Sequence, residues 1–135
     1  MIVVFDSNLW IAAALESLYA LNLANLGAKG TITIAVSPPI LAEIKEKLSE
    51  KFHWQKADIN DFLDYIDRVS VRLEPAVKTD VIKQDKDDNR VIECAIAAQA
   101  SLIVTSDKHL LKLKKYQNIG IVHPRTFGWI FPTGK

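Results

Sequence analysis

The order of apolar and polar positions changes period several times along the chain. Ile2 to Phe5 is a β-branched and aromatic run ending at Asp6-Ser7-Asn8, residues that favour turns and helix N-caps, so it predicts a strand feeding a helix. The helical stretch from about Leu9 to Leu26 is rich in Leu and Ala and is predicted to close at Gly27, with a second glycine at Gly30. Thr31 to Val36 alternates towards a second strand. Ser37-Pro38-Pro39 offers an N-cap with proline in the first helical turn, and Ile40, Leu41, Ile44 and Leu48 fall on one face of the helix that follows. Another helix is predicted over Ala57 to Ile66. Val69, Val71 and Leu73 alternate with polar residues as far as Glu74-Pro75 and predict a third strand. Residues 76–87 are polar and show no clear period. A largely apolar helix follows over Asn89 to Ala100, a fourth strand over Leu102 to Thr105, a short basic helix over Lys108 to Lys115 and a fifth strand over Ile119 to Val122.

Strands alternating with helical segments argue for a three-layer α/β domain, a central parallel sheet of about five strands flanked by helices. In such sheets ligands gather beyond the carboxyl ends of the strands. An aspartate stands there twice, Asp6 after IVVF and Asp107 after LIVTS. The length of 135 residues, 49% of them apolar, fits one domain spanning 1–135 around one core. Seventeen Lys and Arg against sixteen Asp and Glu leave a charge of +1, so any nucleic-acid binding needs a local basic patch. The apolar runs stop short of the roughly 18 to 20 residues that span a bilayer, and MIVVFDSN has neither the basic start nor the cleavage site of a signal peptide. The expectation is a soluble, cytoplasmic protein without a membrane partner. Cys94, the only cysteine, excludes an internal disulfide and a Cys-rich zinc site and reads as a small buried hydrophobe.

Asp6 and Asp107 each have a simple account as the N-cap of the next helix, where a carboxylate accepts free backbone N–H groups. Two acids at one sheet edge also fit a shared pocket. The segment Asp85-Lys86-Asp87-Asp88-Asn89 opens the apolar helix. Around the helical wheel Asp88 falls beside Val91, Ile92 and Ala95, so it points along a buried side; Asp87 takes that direction if the helix starts one residue differently. Arg90 and Glu93 share a mixed face, where an i,i+3 ion pair accounts for both. Glu43 sits at the flank of the stripe made by Ile40, Leu41, Ile44 and Leu48, and an i,i+4 pair with Lys47 explains it. Converging acids repel, two carboxylates at about 4 Å by about 4 kcal/mol at an effective dielectric near 20, so a cluster needs a cation. Carboxylate oxygens with no converging His or Cys set suit Mg²⁺ or Mn²⁺ better than Zn²⁺. Such ions can activate water for in-line attack on phosphorus and stabilise the leaving oxygen.

The spaced blocks VVFDSN at 3 to 8, ILAEI at 40 to 44, DKDDNRVIECAIAA at 85 to 98 and IVTSDKHLL at 103 to 111, with the closing IVHPRTF at 121 to 127, resemble the PIN domain, in particular its short stand-alone, VapC-like branch of toxins from toxin–antitoxin modules. The resemblance spans nearly the whole chain. It implies an α/β nuclease with a parallel sheet and an acidic pocket for Mg²⁺ or Mn²⁺, acting on RNA, with a cognate antitoxin protein and a second copy of the chain as partners. It also implies that Asp6 is the first acid, Glu43 the second and Asp107 the last. For the third acid it offers both Asp88, which opens the helix, and Glu93, three residues before Ile96-Ala97-Ala98, with Asp87 as the neighbouring alternative. Asn8, Thr105 and Ser106 match polar positions beside these acids, suited to hydrogen-bonding ligands or water. The family often has proline where Lys86 stands and an acid where His109 stands; neither departure removes a principal acid.

Lys108, Lys112, Lys114 and Lys115 follow the last acid and would hold RNA phosphates, although a solvated helix face explains them equally well. Trp10, Trp54 and Trp129 are too scattered for a base-stacking platform and read as core or interface packing. The leading expectation is a metal-dependent endoribonuclease toxin that hydrolyses a phosphodiester by water attack. An RNA-processing nuclease without an antitoxin is the alternative within enzymes. Phosphotransfer domains also end a strand in Asp, but Asp6-Ser7-Asn8 lacks the second acid of the haloacid-dehalogenase type and no acidic pair precedes it as in receivers. A non-catalytic interaction domain on the same fold is the alternative from another class, and binding of divalent metal with RNA cleavage separates it from the nuclease.

Overall fold

A computed structural model describes residues 1–131 and sets Ile2–Phe5 (β1) in the middle of a six-stranded sheet. From β1 the chain runs through helices Ser7–Ala14 (α1) and Leu18–Ala28 (α2) to Thr33–Val36 (β2), which pairs parallel with β1. Helices Pro38–Glu50 (α3) and Lys56–Val69 (α4) then lead to Ser70–Arg72 (β3) at one edge of the sheet. Helix Lys86–Ala98 (α5) carries the chain back across to Leu102–Val104 (β4), on the other side of β1. Lys108–Leu113 (α6), Lys115–Tyr116 (β5), Ile119–Val122 (β6) and Pro124–Ile130 (α7) complete the order β3-β2-β1-β4-β6-β5. All pairings are parallel except the last, β5 with β6. The sheet is mostly parallel and flanked by helices, as the alternating sequence pattern requires.

The strand order reverses between β1 and β4, so the crevice beyond their carboxyl ends is the topological switch point where such sheets bind ligands. Phe5 pairs with Val104, and the Asp6 amide donates to the Val104 carbonyl at 3.2 Å, which places Asp6 and Thr105 level at the mouth. Val3, Val4, Phe5, Ile103 and Val104 are buried, the continuous apolar runs expected of strands covered on both faces. Trp10 packs on Phe5 at 5.4 Å between ring centroids, and Phe127 of α7 meets Phe5 edge-on. Trp54 is edge-on to Phe62, whereas Trp129 is 73% exposed. Cys94 is buried, and burial pushes its thiol up to about 11, which leaves it unreactive.

Several boundaries differ from those the sequence predicts. The stretch Leu9 to Leu26 is two helices crossing at 107°, because Glu16 adopts a left-handed conformation (φ 66°) and Ser17 caps a new helix by accepting from the Ala20 amide. Among the described residues no single helix is long and apolar enough to cross a membrane. Gly27 does not end α2; it lies inside it, where a Cβ would stand 2.2 Å from the Val69 carbonyl oxygen, so its role is close packing on α4. The left-handed residue after that helix is Gly30 (φ 78°). Ser37 holds the N-cap position of α3 but makes no cap bond; Pro39 at the second helical position has no N–H to offer. Helix α5 begins three residues before Asn89, at Lys86, with Asp85 as cap. The basic helix stops at Leu113, where left-handed Lys114 turns the chain so that Lys115 pairs with Gly120, adding a sixth, antiparallel strand. Helix α7 has no counterpart among the elements the sequence predicts; it starts at His123 as cap with Pro124 first in the helix.

Candidate metal centre

Asp6 is buried and both of its oxygens are engaged. Oδ1 accepts from the Leu9 amide at 3.0 Å and so caps α1, while Oδ2 accepts from the Thr105 hydroxyl. Thr105 Oγ1 in turn accepts from the Asp107 amide at 2.9 Å. This relay ties the ends of β1 and β4 together and fixes where both acids sit. Asp107 Oδ1 caps α6 through the His109 and Leu110 amides at 2.8 and 3.0 Å, which leaves its second oxygen for the crevice. The capping role and a pocket role therefore coexist in one side chain.

Helix α5 brings the remaining acids. Asp85 caps the helix through the Asp87 amide at 3.0 Å, and Asp88, in the first turn, is only 8% exposed. Asp85, Asp88 and Asp107 each offer a carboxylate oxygen, and these oxygens lie within 4.8 Å of one another. Burial pushes the Asp88 carboxyl up to about 8, helped by the close Asp107 carboxylate, which favours the protonated form of Asp88, and by the charges of Asp85 and Asp6. Asp6 is raised as well, by burial and by the Asp107 charge, against the lowering effects of its Thr105 and Leu9 hydrogen bonds and of Lys47. Asp88 Oδ2 is buried without a hydrogen-bond partner. A buried carboxylate oxygen with no donor, beside two further carboxylates, is a position suited to a cation. The donors are all oxygens, with no His or Cys in the group, so the residues fit a hard divalent ion such as Mg²⁺ or Mn²⁺.

The other expected site residues lie around this group. Glu43 pairs with Lys47 at 3.1 Å, and the same ammonium donates to Asn8 Oδ1 at 3.1 Å, so Lys47 links α3 to the first turn of α1. Asp87 is exposed and faces, with Glu43 and Arg90, a cavity of about 590 Å³ between α3 and α5, away from the cluster. Glu93 is 1% exposed. It accepts from the Thr79 amide at 2.6 Å and pairs with Arg90 at 3.1 Å, and so anchors the segment before α5. Asn89 assists from the next turn by exchanging two hydrogen bonds with the Ile82 backbone, both 2.8 Å. Ser106 is exposed beside Asp107, and Lys108, Lys112, Lys114 and Lys115 are exposed, with none in an ion pair among the described residues. His109 is half-buried, and its backbone N–H donates to Asp107 Oδ1. Asp85 is the site residue that the sequence reading misses. Its signal is the Asp-x-x-Asp spacing at a helix start, which sets the cap and a first-turn carboxylate side by side.

Comparison with known proteins agrees with this architecture. A search of curated proteins finds no match. The chain is similar to a chain in the crystal structure of VapBC2 from Rickettsia felis bound to a DNA fragment from their promoter, with a TM-score of 0.67 and 22% identity over 91% of this chain and 98% of that one. At that identity the likeness establishes the fold. The family model for the PIN domain matches residues 2–109, a span that includes Asp6, Asp85, Asp88 and Asp107, and the chain accordingly belongs to the PIN domain family.

Proposed function

We propose that the chain is a Mg²⁺- or Mn²⁺-dependent endoribonuclease that acts in the cytoplasm as the toxin of a toxin–antitoxin pair. The observation that carries the reading is the buried, unpartnered Asp88 oxygen beside Asp85 and Asp107, at the switch point of a PIN-family sheet. Asp85, Asp88 and Asp107 would hold the ion, and Asp6 adds negative charge from the strand side. A bound divalent ion supplies the charge that activates a water for in-line attack and offsets the leaving oxygen. Thr105, locked between Asp6 and the Asp107 amide, keeps the acids in register when the pocket changes charge. Glu43 lies outside this group, paired with Lys47 on α3 and facing the α3–α5 cavity. The exposed lysines after Asp107 would contact flanking phosphates.

Support for a protein antitoxin comes from the fold likeness to VapBC2, whose structure contains both components with promoter DNA. The test is cleavage of single-stranded RNA by purified protein with Mg²⁺ or Mn²⁺, with the product ends identified. Attack by water leaves a 5′-phosphate and a 3′-hydroxyl, whereas attack by the RNA's own 2′-hydroxyl leaves a 2′,3′-cyclic phosphate. Cyclic ends, or full activity in EDTA, would sink the reading. Metal binding without any RNA cleavage would favour the non-catalytic interaction domain. Cleavage without growth arrest on expression would favour the RNA-processing nuclease.

A further inference from the structure

A cavity of about 370 Å³ opens between α1, α2 and α7, next to the acid cluster. Its connection to the cluster is covalent and short: Asn8, two residues after Asp6, and Ser106, immediately before Asp107, both line it. The floor is apolar, made by Leu9, Ala12, Ala20 and Pro124. The polar groups sit at the rim. Tyr19 forms a wall whose hydroxyl donates to the Pro124 carbonyl, which fixes the ring against α7. His123 Nδ1 accepts from the Arg125 amide at 3.0 Å, so the neutral imidazole is assigned its proton on Nε2, a free donor at the rim. The Tyr19 phenol is pushed up by burial and drawn back by the nearby Arg125 guanidinium, which marks a positive charge at that end.

The cavity between α3 and α5 has the opposite character. Four of its lining residues, Glu43, Glu46, Glu50 and Asp87, are acids against the bases Lys45 and Arg90, a sum of −2 that repels a phosphate backbone. A single strand crossing the acid cluster is therefore directed towards α1 and α7. An apolar floor with a few convergent donors suits a flat heteroaromatic ring, and every base offers an apolar face for such a surface.

We propose that the α1–α2–α7 cavity is a nucleoside subsite that takes the base of a nucleotide flanking the scissile phosphate of single-stranded RNA. The proposal rests on the nuclease reading of the acid cluster. Asn8, the Nε2–H of His123 and Arg125 offer donors to the base edge, Tyr19 and Pro124 flank its face, and Ser106 lies on the side of the phosphate.

The experiment is nuclear magnetic resonance of metal-free protein in EDTA, titrated with each of the four nucleoside 5′-monophosphates and, separately, with ribose 5-phosphate and inorganic phosphate. The expected result is shifts at Asn8, Tyr19, His123 and Arg125 with at least one nucleotide and none with ribose 5-phosphate. Two variants accompany it. Ala12→Leu fills the floor and Arg125→Ala removes the rim charge, and each should weaken oligonucleotide binding about tenfold with Mn²⁺ affinity unchanged. Equal shifts with ribose 5-phosphate, shifts confined to the α3–α5 cavity, or oligonucleotide affinity unchanged in both variants would overturn the proposal. So would concentration-dependent dimerisation that occludes Tyr19, which would assign the cavity to a second copy of the chain. Failure of the metal reading would appear separately, as absence of Mn²⁺ binding by the wild-type protein, and leaves the nucleotide shifts in EDTA to be judged alone.

Discussion

Substitution of Asp88 by asparagine tests the electrostatics of the pocket in the absence of any substrate. The carboxylate oxygens of the Asp85, Asp88 and Asp107 group lie within 4.8 Å of one another, and two charges at that distance repel by about 3 kcal/mol at an effective dielectric near 20. Burial is the larger cause, and together with this repulsion it carries the Asp88 carboxyl up to about 8. The unfolded chain has an ordinary Asp near 3.9. Between those values the folded, metal-free protein binds one proton more than the unfolded one, so its stability falls as pH rises from about 4 to 8 and levels off above. The amide that replaces the carboxyl has no proton to lose. Asp88→Asn should therefore match wild type near pH 4 and exceed it by roughly 2 to 4 kcal/mol at pH 7 in EDTA, about 10 °C in melting temperature for a chain of this size. Divalent metal reverses the order: wild type should gain stability with Mn²⁺, more so at higher pH because the ion displaces the Asp88 proton, with affinity rising about tenfold per pH unit below 8. The variant should gain little. Melts in EDTA and in Mn²⁺ across pH 4 to 9 decide it. Parallel curves for the two proteins in EDTA, or an equal Mn²⁺ stabilisation in both, would refute the reasoning.

Three further outcomes follow from the same geometry. Asp6→Asn and Asp107→Asn keep a side chain that caps as well as Asp, so each should leave metal-free stability equal or higher while abolishing cleavage and weakening Mn²⁺ binding; normal cleavage by both variants removes them from the site. Glu93→Ala strands Arg90 and the Thr79 amide and should lower the melting temperature by roughly 10 °C, a loss of about 2 to 4 kcal/mol, with wild-type Mn²⁺ affinity measured at a temperature where the variant is folded; lost metal affinity with intact stability would make Glu93 a ligand instead. Combined replacement of Lys112, Lys114 and Lys115 by Ala should weaken RNA binding and flatten its dependence on salt, and an unchanged slope would return them to a solvated face.

The part of the site carried by strands is legible because a parallel strand buried on both faces is a short apolar run, and the residue after it is where a ligand meets the sheet. Asp6 after IVVF and Asp107 after LIVTS stand out on that ground alone. The helical wheel also gives the inward direction of Asp88, because Val91, Ile92 and Ala95 mark that side of α5 as core. The wheel fails for Glu93. Its face looks mixed within the helix, but the segment before α5, which has no periodicity of its own, lies against it, with residues 74–78 beside it and the Thr79 amide donating to it. Asp85 reads as part of a solvated helix start, since its place in the cluster depends on Asp107 arriving from β4. The break between α1 and α2 is invisible for a related reason. A run of Leu and Ala favours helix throughout, and the left-handed turn at Glu16 serves the packing of α2 against α4 through Gly27, a contact made far along the chain. Helix α7 does have a signal in His123-Pro124, a cap followed by proline at the first helical position.

The most direct test is a Mn²⁺ titration of wild-type protein and Asp107→Asn, purified side by side, following metal occupancy and RNA cleavage in the same samples. The account predicts that wild-type cleavage rises in proportion to occupancy of the Asp85, Asp88 and Asp107 group, stops on addition of EDTA, and is absent from the variant together with tight Mn²⁺ binding. Cleavage that is independent of occupancy, or equal in the two proteins, would contradict it.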